Sequence, residues 1–458
     1  MEPRSQTILG KALDINLDPK FYGTFAEIGA GQEVARQFFQ AGKASQTIAL
    51  TISAYDMTYS DMIYGKEKSG RYVCLPRLEK MLEREYTKLI DRLAPTRKET
   101  CFFSFADTVA TSSEGSKRSC HGWMGVRFQA TPGGEFHEVK LHVRMLDRLR
   151  LQQQETLSKL GVNLLHSCFY KGKNQTEFLD GLFDQIKSGS LAIDVIYFVG
   201  ADFKKYNEVY FNLMLVEKKW SQACLIDAEG KVQNPPDFLW DKSLLIQRGF
   251  FSPVTNTHLD IYNRGLEHFK KEFSLKTSEL MGIFEFTVDN RAKGTHVNTD
   301  QAFERVQMIS QLQLPVLVTQ FTLFYQLKEF IRMSTAKPIG IVIGATHLEK
   351  LFDETFYFDL SGGLLEGMGK LLGRFTRLYI YPHKTAEICL LTKSFFPKPS
   401  VKHIYSHFIE NKMIQDIAGC DDLKEFIHSD EVNKLIKKKD KAWKKLVPEK
   451  LHKLIEKI

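Results

Sequence analysis

Short apolar runs alternate with longer amphipathic segments along almost the whole chain, and this alternation constrains the fold more than any other feature. Residues 47–56 and 101–110 have the length and the β-branched or aromatic content of buried strands. Residues 77–94 place apolar side chains on one stripe at helical spacing. Strands that alternate with helices in this way are typical of a layered α/β fold with mainly parallel, Rossmann-like sheets.

The same pattern predicts two lobes. Residues 234–238, Asn-Pro-Pro-Asp-Phe, form the strongest break between periodic segments. We therefore predict an N-terminal α/β domain over residues 1–235 and a Rossmann-like, nucleotidyltransferase-like domain over residues 239–458. Two alternating runs around a Pro-Gly-Gly turn at residues 132–134 predict an antiparallel hairpin in the N-terminal lobe.

Composition excludes several classes of protein. With 43% hydrophobic and 26% charged residues, the chain is ordinary for a globular protein, and no apolar run approaches the roughly 20 residues of a membrane helix. Because the N-terminal segment lacks the apolar block of a signal peptide, we expect a cytoplasmic protein with no membrane partner. The seven cysteines lack the spacing of a disulfide framework or a zinc site. They predict buried free thiols, and neither zinc nor haem is expected.

The net charge of +8 is concentrated in the C-terminal tail, residues 434–458. This tail predicts a helix with its apolar residues inward and a solvated basic face outward. Since neither interleaved aromatic residues nor a binding motif accompanies the charge, we do not expect a nucleic-acid partner. The sequence leaves the oligomeric state open.

The stretch RGFFSPVTNTHL, residues 248–259, passes from an apolar run directly into a helical pattern. A sharp turn from strand to helix brings unpaired N–H groups and the positive end of the helix dipole to the carboxyl edge of the sheet, where anions bind. Thr255 or Asn256 can cap the helix. His258, one turn in, can point its imidazole at a phosphate and, if protonated, stabilise charge there. The alternative is an ordinary capped helix with a buried, hydrogen-bonded histidine.

This stretch resembles the nucleotide-binding motif of nicotinamide/nicotinate mononucleotide adenylyltransferases, G-x-F-x-P-x-T-N-x-H-L. The matching positions are Gly249, Phe251, Pro253, Thr255, Asn256, His258 and Leu259. The resemblance implies a nucleotidyltransferase domain in which His258, aided by Thr255, contacts the phosphates of Mg-ATP while a mononucleotide phosphate attacks. It also implies Mg²⁺ as the cofactor and a phosphorylated small molecule as the partner. The backbone N–H groups of the turn from Phe251 to Pro253 would face the nucleotide.

Weaker similarities to the same family follow in order over residues 243–352. One segment places Asp289 and Lys293 on the mononucleotide side, residues 305–308 correspond to an R-x-x-M helix, and Gly344 begins a Gly-Ala turn after the central strand. The whole chain also resembles an uncharacterised bacterial protein family for which an adenylyltransferase role in NAD biosynthesis has been suggested.

The chain departs from the adenylyltransferase pattern at several positions. Phe250 stands where the family has Ser or Thr, and Thr346 replaces the aspartate after Gly-Ala. No I-S-x-T-x-x-R segment, which would supply a second helix N-terminus and an arginine, is found near the C-terminus. Without that second clamp a triphosphate loses charge-assisted hydrogen bonds. A protein that binds a nucleotide or metabolite without catalysis is therefore the alternative function.

A second alternative is an enzyme whose site lies in the first half of the chain. Its candidate residues are Gly29, Gly31, Asp56, Asp107, Arg127 and Arg144. The two glycines stand at another strand-to-helix junction and can admit a phosphate. The two aspartates follow buried strands and can hold Mg²⁺. The two arginines lie on the predicted hairpin and can bind a phosphate or carboxylate. Tight turns, helix caps and a solvated hairpin face would explain the same residues.

Overall fold

A computed structural model describes residues 7–111, 120–290, 295–421, 423 and 426–456. The chain forms two compact units, Met1–Ser221 and Gln222–Ile458. The boundary lies upstream of the break predicted at residues 234–238, because the strand that begins at Ala223 already pairs into the second sheet. The Asn-Pro-Pro segment instead starts a short helix. Proline lacks an N–H, but the first residues of a helix have no partner for that group within the helix, so no hydrogen bond is lost.

The first unit is built on a six-stranded sheet with the order β2-β1-β3-β4-β5-β6. Its strands are β1 (Phe21–Ile28), β2 (Ile48–Ile52), β3 (Cys101–Ala110), β4 (His121–Gln129), β5 (Phe136–Met145) and β6 (Leu191–Val199). Its helices are α1 (Ile8–Leu17), α2 (Glu33–Ala41), α3 (Met57–Tyr64), α4 (Leu75–Leu93), α5 (Arg150–His166), α6 (Gln175–Leu182) and α7 (Glu208–Glu217). β1 is parallel to β2 and β3, whereas β3 to β6 pair antiparallel. The predicted hairpin is confirmed as β4 and β5.

Phenylalanines fill one face of this sheet. The ring of Phe25 meets those of Phe103 and Phe105 at centroid distances of 5.8 and 5.6 Å, and Phe38 of α2 closes over it at 5.1 Å. All four are fully buried, and burial of each stabilises the fold by roughly 1.5–3 kcal/mol. The apolar stripe of α4 covers the opposite face, where the hydroxyl of Ser104 donates to a carbonyl of that helix.

The second unit contains an eight-stranded sheet with the order β18-β15-β14-β9-β10-β13-β7-β8. The strands of this unit are β7 (Ala223–Ile226), β8 (Val232–Gln233), β9 (Ser243–Arg248), β10 (Leu280–Thr287), β11 (Asp289–Asn290), β12 (Thr295–His296), β13 (Val316–Thr319), β14 (Ile339–Gly344), β15 (Thr376–Tyr381), β16 (His383–Lys384), β17 (Cys389–Leu390) and β18 (Ile414–Asp416). Its helices are α8 (Pro235–Phe238), α9 (Asn256–Glu272), α10 (Thr299–Gln311), α11 (Phe324–Arg332), α12 (Leu348–Leu351), α13 (Gly363–Leu371), α14 (Lys402–Glu410), α15 (Ser429–Lys437) and α16 (His452–Ile455).

Six of these strands are parallel and follow a doubly wound order. From β9 the chain moves outward through β10 and β13, then returns to the other side of β9 and continues through β14, β15 and β18. This is the Rossmann order, so the predicted α/β class is confirmed. The order reverses between β9 and β14, and sheets of this type bind ligands beyond the carboxyl ends of the strands at the reversal.

The cysteine prediction is wrong at two positions. Cys389 and Cys420 form a disulfide with Cα atoms 6.1 Å apart. Their separation of 31 residues gave no spacing signal in the sequence. The other five cysteines are free thiols, as predicted, and all but Cys120 are buried. Within the described part of the chain, no helix has both the length and the apolar character needed to cross a membrane.

Candidate functional site

The carboxyl end of β9 is fixed by a buried ion pair. Arg248 donates from Nε and Nη2 to the two carboxylate oxygens of Glu285 at 2.5 and 2.8 Å, and the hydroxyl of Thr319 donates to the same carboxylate at 2.6 Å. Glu285 has no exposed surface. Since these residues lie on β9, β10 and β13, the pair holds three strand ends together. The next residues, 249–255, form the turn into α9, here called the motif turn.

Packing determines the shape of the motif turn. Phe251 is fully buried and has a φ of +51°. Its ring stacks on Phe284 at a centroid distance of 4.6 Å and meets the ring of His258 at 5.1 Å. A side chain at Gly249 would lie 2.6 Å from the ring of Phe251, so only glycine leaves room for that ring. Gly249 and Phe251 therefore shape the turn that leads into the helix.

Thr255 and His258 cap α9 reciprocally. The hydroxyl of Thr255 accepts from the backbone N–H of His258 at 3.4 Å, and Nδ1 of His258 accepts from the backbone N–H of Thr255 at 2.9 Å. Because Nδ1 is an acceptor, the neutral ring carries its proton on Nε2. Burial, with a smaller effect of His428, lowers the pKa of His258 to about 4. The structure therefore offers a neutral N–H donor at this helix end rather than an imidazolium.

A second helix begins beside the motif turn. The hydroxyl of Ser429, the first residue of α15, donates to the carbonyl of Pro253 at 2.9 Å, and Nδ2 of Asn433 donates to the carbonyl of Ser252 at 2.9 Å. Two helix N-termini therefore meet at the motif turn. The sequence did not reveal the second one, because α15 lacks the expected serine, threonine and arginine pattern. Its first turn carries two acidic residues, which offset its dipole.

The first amide of α9 is already paired within the chain. The backbone N–H of Asn256 donates to the carbonyl of Leu446 at 2.9 Å, and its side-chain amide donates to the carbonyl of Lys445 at 3.0 Å. Asn256 itself is exposed. The residues after α15 therefore cover part of the helix end where the sequence predicted a phosphate.

Arg305 of α10 is a residue of this region that sequence reasoning did not single out as a site residue. It is 5% exposed, and its guanidinium carbon lies 3.9 Å from the ring centroid of Phe250 and 5.5 Å from that of Phe286. Nη1 is buried without a hydrogen-bond partner, and no ion pair joins Arg305 to any residue that the structure describes. Burial lowers its pKa to about 10. Phe250, a departure from the family pattern, thus covers a buried arginine.

The other candidates of the second unit lie near the same edge of the sheet. Gly344 ends β14, the neighbour of β9 at the reversal of strand order. Asp289 begins β11 just beyond the carboxyl end of β10, and its backbone pairs with His296. Lys293 lies outside the described residues. The structure thus brings the described candidates of this unit to one edge, formed by the ends of β9, β10 and β14.

The glycine junction of the first unit already holds an internal carboxyl group. The side chain of Glu27 accepts hydrogen bonds from the backbone N–H groups of Val34 and Ala35, both at 2.9 Å. Gly29 and Gly31 have φ values of +99° and +90°, a conformation that suits only glycine. The two glycines therefore serve the turn, and Glu27 takes the place at the start of α2 that a phosphate would need.

The two aspartates of the first unit do not share a site. Asp56 caps α3 by accepting the backbone N–H of Tyr59 at 2.8 Å. Asp107 is fully buried, and burial followed by the charge of Glu27 raises its pKa well above the usual value. A protonated acid is a poor ligand for Mg²⁺. Over the described ranges, no group of three or more histidine, cysteine, aspartate or glutamate side chains could hold a metal ion.

The basic face of the hairpin is buried and paired instead of solvated. Arg127 donates to Glu138 at 2.6 Å. Arg144 donates from Nε to Asp194 at 2.8 Å, and both residues are buried. Lys140 contacts Glu138 at 3.2 Å. Because carboxylates of the same unit neutralise these cations, the face is not set up to bind a phosphate.

A chain of two histidines and one aspartate crosses three strands next to this pair. Nδ1 of His142 lies 2.8 Å from Asp194, and Nε2 of His142 lies 3.0 Å from Nδ1 of His121. Burial opposes ionisation of Asp194, but Arg144 and His142 together hold its pKa below the usual value. Since Asp194 is a carboxylate, the ring of His142 donates to it from Nδ1. The partly exposed His121 is the outer end of this relay, which sequence spacing could not reveal.

Comparison with known proteins finds only low similarity in sequence and structure. No protein-family model matches the chain, and no curated protein matches it. The competence/damage-inducible protein CihA of Agrobacterium tumefaciens is similar at 18% identity and a TM-score of 0.27, over 36% of this chain and 97% of that one. A CinA superfamily protein of Enterobacter cloacae has 14% identity and a TM-score of 0.27, over 37% and 95%. Similarity at this level establishes no shared function.

Proposed function

We propose that the second unit binds a nucleotide through its phosphates and transfers an adenylyl group from Mg-ATP to a nicotinate or nicotinamide mononucleotide. The observation that carries this proposal is the reciprocal cap of Thr255 and His258 at the carboxyl end of β9. It places a neutral N–H donor and a helix N-terminus beside the reversal of strand order, where sheets of this type bind nucleotides. Gly344 at the end of β14 borders the same place.

In the proposed reaction, an oxygen of the mononucleotide phosphate attacks the α-phosphorus of ATP. The bond from that phosphorus to the oxygen bridging the α- and β-phosphates breaks, so that pyrophosphate leaves and a dinucleotide forms. Nε2 of His258 donates to a phosphate oxygen that gains charge, and the dipole of α9 stabilises the same charge. The resemblance implies Mg²⁺, which would be bound to the ATP phosphates and would offset part of their charge. The family resemblance assigns Asp289 and Lys293 to the mononucleotide side, and positioning with electrostatics would account for the catalysis.

The reaction is tested with purified protein, Mg-ATP and nicotinate mononucleotide by measuring pyrophosphate release. We expect turnover by the wild type and a loss of about 100-fold or more in His258→Ala, because one preorganised donor to the developing charge is removed. His403→Ala is the matched control, since this histidine is exposed on α14. Absence of pyrophosphate with the wild type, or an unchanged rate in His258→Ala, would contradict the proposal.

Nucleotide binding without turnover is the second candidate function, and α15 favours it because this helix begins at the motif turn without the serine, threonine and arginine pattern of the second clamp. The first turn of this helix carries Asp430 and Glu431, and negative charge next to the motif turn repels a triphosphate. Calorimetry that detects ATP binding, together with an assay that detects no pyrophosphate, would select this function. In that case Asp430→Asn combined with Glu431→Gln should tighten ATP binding, and the effect should decrease with added salt.

A further inference from the structure

A buried charge without a partner lies next to the motif turn. Arg305 is 5% exposed, its Nη1 has no hydrogen-bond partner, and no ion pair reaches it from the described residues. Burying a charge is costly unless it is paired and hydrogen-bonded. An arginine cannot avoid this cost by losing its proton near neutral pH, since its pKa is lowered only to about 10. By contrast, the buried Arg144 and Arg248, whose side chain is 12% exposed, both have carboxylate partners.

The surroundings of Arg305 determine which atoms can reach a ligand. The rings of Phe250 and Phe286 lie 3.9 and 5.5 Å from the guanidinium carbon, distances at which a ring attracts a cation. Aromatic carbon atoms offer no lone pairs to the N–H groups, so these rings leave Nη1 without an acceptor. A guanidinium presents its N–H groups as a planar fork that matches two oxygens of one phosphate or carboxylate.

The position of Arg305 relates it to the proposed nucleotide site. Phe250 belongs to the motif turn, and Phe286 lies near the carboxyl end of β10. His258 begins the helix that follows the same turn. The turn is therefore flanked by two groups suited to anions, one a neutral imidazole and the other a guanidinium. Among the described residues, the charged neighbour that affects the pKa of Arg305 is Glu304, which raises it.

We propose that Arg305 binds the oxyanion of the mononucleotide substrate, either its phosphate or the carboxylate of its nicotinate ring. This inference rests on the proposed function for the identity of the ligand. The observation that Nη1 of Arg305 has no hydrogen-bond partner does not depend on that function. It assigns to Arg305 the role of holding the attacking substrate, while His258 contacts the ATP phosphates.

The inference is tested by calorimetry with inorganic phosphate, nicotinate mononucleotide and nicotinamide mononucleotide. We expect Arg305→Met to weaken binding of nicotinate mononucleotide by about 30-fold or more, because a charge-assisted, buried contact is lost. If Arg305 holds the phosphate, the variant binds all three probes more weakly. If it holds the carboxylate, the variant binds only nicotinate mononucleotide more weakly. Arg374→Met is the matched control, because Arg374 also lies over a phenylalanine, at 5.3 Å from the ring of Phe375, but before β15 at the other end of a parallel strand.

A stability measurement separates this role from a structural one. The free Arg305→Met protein should have a Tm equal to or above that of the wild type, because an unpaired buried charge has been removed. The rise in Tm that nicotinate mononucleotide gives the wild type should be lost in this variant. Arg305→Lys keeps the charge without the planar fork, so this variant should bind the mononucleotide with intermediate affinity. It replaces Arg305→Met in the test if the methionine variant does not fold.

Several outcomes would overturn the inference, and they differ from those that overturn the proposed function. Unchanged mononucleotide affinity in both variants, or no binding of any probe by the wild type, overturns it. Pyrophosphate release with unchanged affinity in the Arg305 variants overturns the inference alone. Mononucleotide binding that depends on Arg305 without pyrophosphate release supports the inference and overturns adenylyl transfer.

Discussion

Glu27 and Asp107 stand directly opposite each other on the parallel strands β1 and β3, with 1% and 0% of their surfaces exposed. Burial raises the pKa of Glu27 to about 7, although three backbone N–H groups counteract this effect, and burial also raises the pKa of Asp107 well above its usual value. The folded first unit therefore binds protons more tightly here than the unfolded chain does.

The first prediction concerns pH. Because both folded pKa values are raised, the stabilisation is present below the unfolded values and is lost as pH rises through the folded ones. The free energy of unfolding of the first unit should fall between pH 5 and pH 8. The slope should be about 1.4 kcal/mol per pH step wherever the folded unit holds one proton more than the unfolded chain. Asp107→Asn should flatten this dependence.

Urea unfolding followed by hydrogen exchange of β1 and β3 measures this pH dependence. Asp91→Asn, an exposed change on α4, is the control and should keep the slope of the wild type. Equal slopes for the wild type and Asp107→Asn would refute the prediction.

The second prediction compares two buried arginines of the second unit. Arg248→Met should destabilise that unit by about 3–5 kcal/mol, because Glu285 would remain buried without its partner. Arg305→Met, which breaks no pair, should not destabilise it. Lys370→Met removes an i,i+4 pair in which both side chains are 34% exposed and should cost less than about 1 kcal/mol. Hydrogen exchange of β9 and β10 in urea measures all three, and equal losses at Arg248 and Lys370 would contradict the role given to the pair.

The third prediction concerns the relay of the first unit. Nitrogen NMR of the imidazoles should find a proton on Nδ1 of His142, directed at Asp194. Asp194→Asn should destabilise this unit by about 3–5 kcal/mol, because it removes the buried carboxylate that pairs with Arg144 and His142. Asp202→Asn is the control, since Asp202 is 63% exposed. Finding Nδ1 of His142 without a proton would show that the relay does not exist.

The fourth prediction concerns the disulfide between Cys389 and Cys420. Reduction should lower the stability of the second unit by about 2–4 kcal/mol, because the unfolded chain regains the freedom of a long loop. Iodoacetamide under denaturing conditions should label these two cysteines only after reduction. The double variant Cys389→Ser, Cys420→Ser should have a Tm that does not respond to dithiothreitol. Labelling of either residue without reduction would contradict the bond.

The parts of the fold that the sequence predicts are those determined by local pattern. The alternation of strands and helices predicted the α/β class to which the doubly wound second unit belongs, and the turn residues before Asn256 predicted a capped helix. Residue type alone predicted Thr255 or Asn256 as the cap, and Thr255 is the cap. These features depend on neighbours within one or two helical turns, so a single sequence contains enough information for them.

The features that the sequence did not predict depend on residues far apart in the chain. The relay joins β4, β5 and β6, and the neutral state of His258 follows from burial and from the direction of one backbone N–H. Arg305 lacks a carboxylate partner among the described residues, and no local pattern encodes such a lack. The sequence therefore placed the motif turn between the end of a strand and the start of a helix, where it lies. It could not assign charge or protonation to the side chains there.

The two strands β7 and β8 lie before the proline pair, yet they complete the second sheet. A fragment that starts at residue 239 would lack them. The backbone N–H and C=O groups of β13 that pair with β7 would then have no hydrogen-bond partners. An open strand edge pairs readily with other chains, so such a fragment should aggregate, whereas one that starts at Gln222 should stay monodisperse at the same concentration.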